Sequence, residues 1–228
     1  MDGLRNDISY AIRSLLKRPA FLGIAVITLA LGIGGTTAIF SAVHSLLLKP
    51  LDFSNLERVV AVWENRPSKG VERNEASMAN YLDWRDQNQS FEQMGLIRWW
   101  SANLTGIDTP ERIQGFLVSA NMLEVTGVNP ALGRGFAADE DQPGKDPVVV
   151  LSHGLWQRRF GSDPNIINKT IMLNGVARSV VGVMPPRFNY PKGAELWAPI
   201  TITPELARSR QSHSYYIIGR LKPNVALQ

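Results

Sequence analysis

The chain has 228 residues, a formal net charge of +4 and no cysteine. Without cysteine there is no disulfide framework, thiol nucleophile or thiolate metal site, and six Trp and eight Phe exclude a disordered chain. The charge divides evenly, +2 in residues 1–48 and +2 in 49–228, so no basic stripe is present to hold a phosphate backbone and no nucleic-acid partner is expected.

In residues 3–17, Leu4, Ile8, Ile12, Leu15 and Leu16 recur at three- and four-residue steps, with Arg5, Arg13 and Lys17 at the remaining angles. This spacing predicts an amphipathic helix within residues 1–18, lying in the headgroup plane with membrane lipid as its partner. A solvated helix against a cytoplasmic partner is the alternative. Arg13, Lys17 and Arg18 are the expected membrane-interface residues. Pro19 cannot continue the helix, so the chain bends there.

From Pro19 to Leu48 there is no Lys, Arg, Asp or Glu. About 20 helical residues rise about 30 Å, the thickness of the hydrocarbon core, so residues 19–48 are predicted to hold a membrane helix. A cleaved signal peptide needs a shorter apolar stretch and a small-x-small site, which SAVHSLLLKP does not offer. The basic residues before the span place the amino terminus in the cytoplasm and residues 49–228 outside. Gly32, Gly34 and Gly35 cluster with Ala30, Thr36 and Ala38, small side chains that let another helix backbone approach. They are the expected helix-packing residues.

Beyond the span the pattern is of short strands and short helices. RVVAVW (58–63) reads as a strand. Ser77 is an N-cap for a helix within 77–91. QMGLIRWW (93–100) and RIQGFLVSA (112–120) read as strands, and NMLEVTG (121–127) as a short helix closed by Gly127. PVVVLS (147–152) is a buried strand leading into the helix HGLWQRRFG (153–161). TIMLN and ARSVVGVM flank Asn174-Gly175, the favoured type I′ hairpin turn. ELWAPI (195–200) and YYIIGRL (215–221) are further strands. The mixture predicts an α+β outer domain rather than a doubly wound parallel sheet.

Little of this sequence carries chemistry. Ser152 occupies a strand-to-helix turn, where a nucleophile elbow would sit, but Val150 replaces the required glycine, so a capping serine is the simpler reading. His44, His153 and His213 stand apart, with no second ligand at metal spacing. Asp139-Glu140-Asp141 lacks the alternating ligands and central glycine of a calcium loop and reads as a solvated loop. No GxxxxGK[ST] occurs, so ATP is not bound by a P-loop. No cofactor, metal or enzymatic activity is expected.

The run TLALGIGGTTAIFSAVHSLLLKPL followed by VVAVWE resembles the opening of the MacB-like ABC transporter permeases, with most similarity to the large acidobacterial-type orphan permeases of that superfamily. The resemblance continues through SMANYLDWR, VSANMLEVTGVNPALGRGF, DPVVVLSHGLWQRRFGSDPNIINKTIMLNGVARSVVGVMPP, ELWAPI and IIGRLKP. It implies a periplasmic core over 49–228. A porter-like part would hold about 55–117 and 212–228. An inserted smaller subdomain would hold about 118–205, including Asn121, Gly127, Gly133, Arg134, Asn174 and Gly175. Relatives continue with three more membrane helices, so this chain is expected to be truncated within the porter-like part.

The resemblance further implies a non-catalytic permease subunit of the cell inner membrane, serving efflux or force transmission. Its implied partners are an ABC ATPase subunit, other permease helices or a second permease copy, and a periplasmic adaptor protein. A single-pass ectodomain that binds or senses a ligand without transport is the competing expectation.

Overall fold

The computed structural model describes residues 17–43, 53, 55–67, 70–145 and 147–225. The chain divides into two compact units, Met1–Pro50 and Leu51–Gln228. The predicted interfacial helix, with Arg13, and His44 lie outside the described residues.

In the first unit, α1 runs from Pro19 to Val43. Its Ala20–Thr37 window has a mean hydropathy of 1.9 and none of it is buried, so it is long and apolar enough to cross a membrane. Thr28 and Thr36 donate their hydroxyl protons to the carbonyls of Ile24 and Gly32, at 2.8 and 2.7 Å, which removes the cost of a bare hydroxyl on an apolar helix.

The second unit is mixed α and β. β1 (Val59–Val62) follows a 3-10 turn at Leu56–Arg58. β2 (Glu64–Arg66) and β3 (Val71–Asn74) form a small separate hairpin that the sequence does not predict, because NRPSKGVERN has no apolar alternation. α2 (Met78–Gln87) begins as predicted, with the Ser77 hydroxyl accepting from the Asn80 N–H. The strand expected at 93–100 is longer, β4 (Phe91–Thr105), and β5 (Glu111–Val118) returns against it. Then come α3 (Met122–Thr126), β6 (Leu132–Gly133), β7 (Val148–Leu151), α4 (His153–Phe160), β8 (Thr170–Leu173), β9 (Val176–Val183), β10 (Leu196–Pro199), α5 (Pro204–Arg208) and β11 (Tyr216–Leu221).

Among the described residues, nine of these strands make one sheet with two regions. The first half of β4 pairs with β11, and β11 with β1, giving an open antiparallel sheet. The second half of β4 enters a closed ring. It pairs with β5, β5 lies parallel to β10, β10 pairs with β7, β7 lies parallel to β9, and β9 pairs with β8. β8 returns to β4 through Leu104–Leu173, which completes a six-stranded barrel. Closure removes the free edges that an open sheet presents.

Three apolar clusters follow from strand alternation. Ala102, Leu104, Ile113, Val149, Leu173 and Val180 fill the barrel. Trp197, Phe116, Val150 and Val181 face outward from it, under α3 and the loop after β9. Tyr81, Met94, Leu96 and Ile217 pack α2 onto the open sheet. The sheet therefore runs unbroken through both the porter-like part and the inserted subdomain expected from the sequence.

Candidate functional site

The predicted functional residues fall into two groups, one on α1 and one on the outer unit. On α1, Lys17 and Arg18 are exposed just before the helix. A Cβ built on Gly32, Gly34 or Gly35 meets nothing within 4 Å among the described residues; Gly32 and Gly35, three apart, lie on one side of the helix, and Gly34 lies on the other side from Gly32.

On the outer unit, the residues with chemical potential are engaged in structure. Ser152 caps α4: its hydroxyl accepts the Leu155 N–H at 3.1 Å, and the residue is only 8% exposed. His153 stacks edge-on to Trp156, and His213 lies 3.3 Å from a Glu64 carboxylate oxygen. The three acids of the 139–141 loop point to three different partners. Asp139 meets Lys145, whose hydrogen bond holds its carboxyl below the ordinary range. Glu140 accepts two guanidinium N–H groups of Arg134, at 2.6 and 3.0 Å, and the N–H of Ala137. Asp141 accepts the N–H of Ala120. No group of three or more potential metal ligands occurs among the described residues.

Asn174 and Gly175 form a two-residue turn between Leu173 and Val176, with φ of 52° and 78°, as a type I′ turn requires. The Asn174 side chain does more than tolerate that geometry. Its oxygen accepts the Asn103 N–H at 2.8 Å and its amide donates to the Ser101 carbonyl at 3.1 Å, so it helps to join β8 to β4 at the ring closure.

Asn121 sits in a buried polar hub that sequence spacing does not reveal. It accepts from the Ser119 hydroxyl and donates to the Met94 carbonyl, while Ser119 also accepts the Leu96 N–H. Tyr81 reaches the same Met94 carbonyl from α2, and burial pushes its phenol up. The VSAN segment thus ties α2, β4 and the start of α3 together.

Sequence reasoning also misses Phe53. Its ring packs edge-on to Tyr190, with centroids 4.8 Å apart, and lies 6.4 Å from Phe188. Phe188 packs against the buried Trp197 at 5.3 Å. An isolated aromatic in the polar stretch LDFSN was the available signal.

The model of the MacB-like periplasmic core domain matches residues 22–228, beginning inside α1 and running through β11. Several solved structures share the fold. A permease domain from Porphyromonas gingivalis superposes with a TM-score of 0.58 at 18% identity, covering 77% of this chain and 80% of that one. The periplasmic region of MacB from Actinobacillus actinomycetemcomitans gives 0.51 at 16% identity, covering 74% and 75%. The extracellular domain of the noncanonic ABC-type transporter YknZ from Gram-positive bacteria gives 0.50 at 13% identity, covering 73% and 83%. At these identities the likeness concerns the fold. No curated protein sequence matches the chain.

Proposed function

We propose, from the premise that this chain belongs to the family of MacB-like periplasmic core domains, that it is a non-catalytic permease subunit whose outer domain moves when a separate ABC ATPase hydrolyses ATP. The observation that carries the reading is the continuity of the family match from within α1 to the end of the outer unit. An apolar helix and a periplasmic core in one polypeptide fit a transporter component better than a free binding module. These 228 residues hold no P-loop, so in this reading they take no part themselves in ATP hydrolysis.

In this reading α1 spans the inner membrane with Lys17 and Arg18 on the cytoplasmic side and the outer unit in the periplasm. The open sheet with α2 is the porter-like part, and the barrel belongs to the inserted subdomain, with β4 and β5 shared by both. The movement serves efflux or the transmission of force to a periplasmic adaptor protein. The small residues Gly32, Gly34 and Gly35 let other permease helices or a second copy approach the helix backbone closely.

Gly34→Leu tests the reading in the permease assembled with its ATPase. A bulky side chain on a close helix contact separates the backbones, so the variant should insert normally yet lose most co-purification with partner helices or most stimulation of the ATPase. A variant that stimulates the ATPase like the wild type removes the packing role. Failure of any ATPase to co-purify with the wild type removes the transporter reading.

A further inference from the structure

Asn174-Gly175 is the one Asn-Gly pair in the sequence, and both residues are exposed at the turn between β8 and β9. Asparagine is a thermolabile residue. When its side chain is free to turn, its Cγ comes within reach of the next backbone nitrogen. Glycine leaves that nitrogen unscreened, because it has no Cβ. A Cβ built on Gly175 meets nothing within 4 Å, so no described neighbour shields the approach either.

What restrains the Asn174 side chain is β4. The ladder between β4 and β8 is two residue pairs long, Leu104–Leu173 and Thr105–Met172. Asn174 extends this short seam. Its backbone N–H donates to the Asn103 carbonyl at 3.0 Å, and its side-chain oxygen accepts the Asn103 N–H at 2.8 Å. Its side-chain amide donates to the Ser101 carbonyl at 3.1 Å. While these bonds hold, Cγ cannot swing round to the Gly175 nitrogen. Local opening of β8 from β4 releases it.

We propose that Asn174 is a deamidation site guarded by the barrel seam, and that its conversion loosens the seam that guards it. The Gly175 nitrogen loses its proton and attacks Asn174 Cγ. A C–N bond forms, the Cγ–Nδ2 bond breaks and ammonia leaves. Water then opens the cyclic imide. Cleavage at Cγ gives an aspartate, and cleavage at the main-chain carbonyl gives an isoaspartate whose backbone runs through Cβ and Cγ. The aspartate puts an oxygen anion where Nδ2 faced the Ser101 carbonyl, so two acceptors oppose each other. The isoaspartate lengthens a turn that the Leu173–Val176 pairing closes with two ordinary residues. Either product weakens the ring at its closing strand. Neither step involves a partner ATPase, so the site stands or falls apart from the transporter reading.

The whole chain, kept folded in detergent and mildly alkaline buffer, is followed by peptide mass. The peptide holding Asn174 should gain the mass that separates a hydroxyl from an amide group. It should do so at least about tenfold more slowly than in concentrated urea, because only the opened fraction reacts. The converted fraction should exchange its amides faster in Thr170–Leu173 and in residues 101–105, with Tyr216–Leu221 unchanged. Asn174→Asp, made without ageing, should show the same pattern.

Conversion as fast in the folded chain as in urea overturns the guard. An Asn174 peptide that keeps its mass in the folded chain while the urea sample converts overturns the site. Wild-type exchange in the converted fraction, or in Asn174→Asp, overturns the loosening.

Discussion

Arg220 lies within β11, is only 7% exposed, and directs two guanidinium N–H groups at the Val125 carbonyl, at 3.0 and 2.8 Å. A cation on the last carbonyls of α3 meets the negative end of the helix and satisfies an acceptor that the helix leaves open. Glu140 is placed as deliberately. Burial alone would raise its carboxyl, but the Arg134 hydrogen bonds, the Ala137 N–H and the Arg134 charge hold it below the ordinary range. A depressed folded-state value means that its contribution is full above the unfolded value near about 4.3 and is lost as pH falls through the folded value. Glu140→Gln should therefore melt below the wild type at pH 6, with the gap closing toward pH 3. A gap that is constant with pH would assign the loss to shape rather than charge. At Gly175, φ is +78° and nothing crowds a Cβ, so backbone conformation alone forbids a branched side chain. Gly175→Val should cost more than about 1 kcal/mol, measured by denaturant unfolding.

At the scale of elements, ring closure depends on the short β8. Leu173 is fully buried and pairs with Leu104 on one side and Val176 on the other. Leu173→Ala should cost about 2–5 kcal/mol, since the rigid barrel wall cannot collapse into the cavity. Hydrogen exchange should rise in β8 and the second half of β4 before it rises in β11. Equal loosening of all three would mean that the barrel and the open sheet unfold as one. How far these elements are legible from sequence follows from their physics. The Ser77 cap, the glycine after α3 and the Asn-Gly turn are local signals, and they place α2, α3 and the β8–β9 hairpin. β4 reads short because SANLT breaks the apolar run, although Ala102 and Leu104 still alternate into the barrel. The one-turn α5 in TPELAR and the polar β2–β3 hairpin carry too little periodicity to register. The parallel pairing of β10 with β5 and the Leu104–Leu173 contact join distant segments, and no local pattern encodes them. For the same reason, the contacts of Phe53 could not be picked out from the sequence.

For the whole molecule, the decisive question is which side of a membrane each unit occupies. The absence of native cysteine makes this directly measurable. In intact spheroplasts, an impermeant thiol reagent should label a cysteine placed at Lys145, which is exposed, and spare one placed at Ser9. The reverse pattern overturns the proposed orientation. Membership of the family fixes the class of the outer unit.

The position of β10 has a consequence for how the protein is made. β5 cannot find its parallel neighbour until β10 exists, and β7 waits for the same strand. Roughly 80 residues separate Val118 from Leu196, which at about 5–20 residues per second of synthesis is on the order of 4–16 s. Throughout that interval β5 can pair with β4 on one edge, while its other edge, along Gly115–Val118, has no strand to meet. That open edge is a place for self-association until β10 is made.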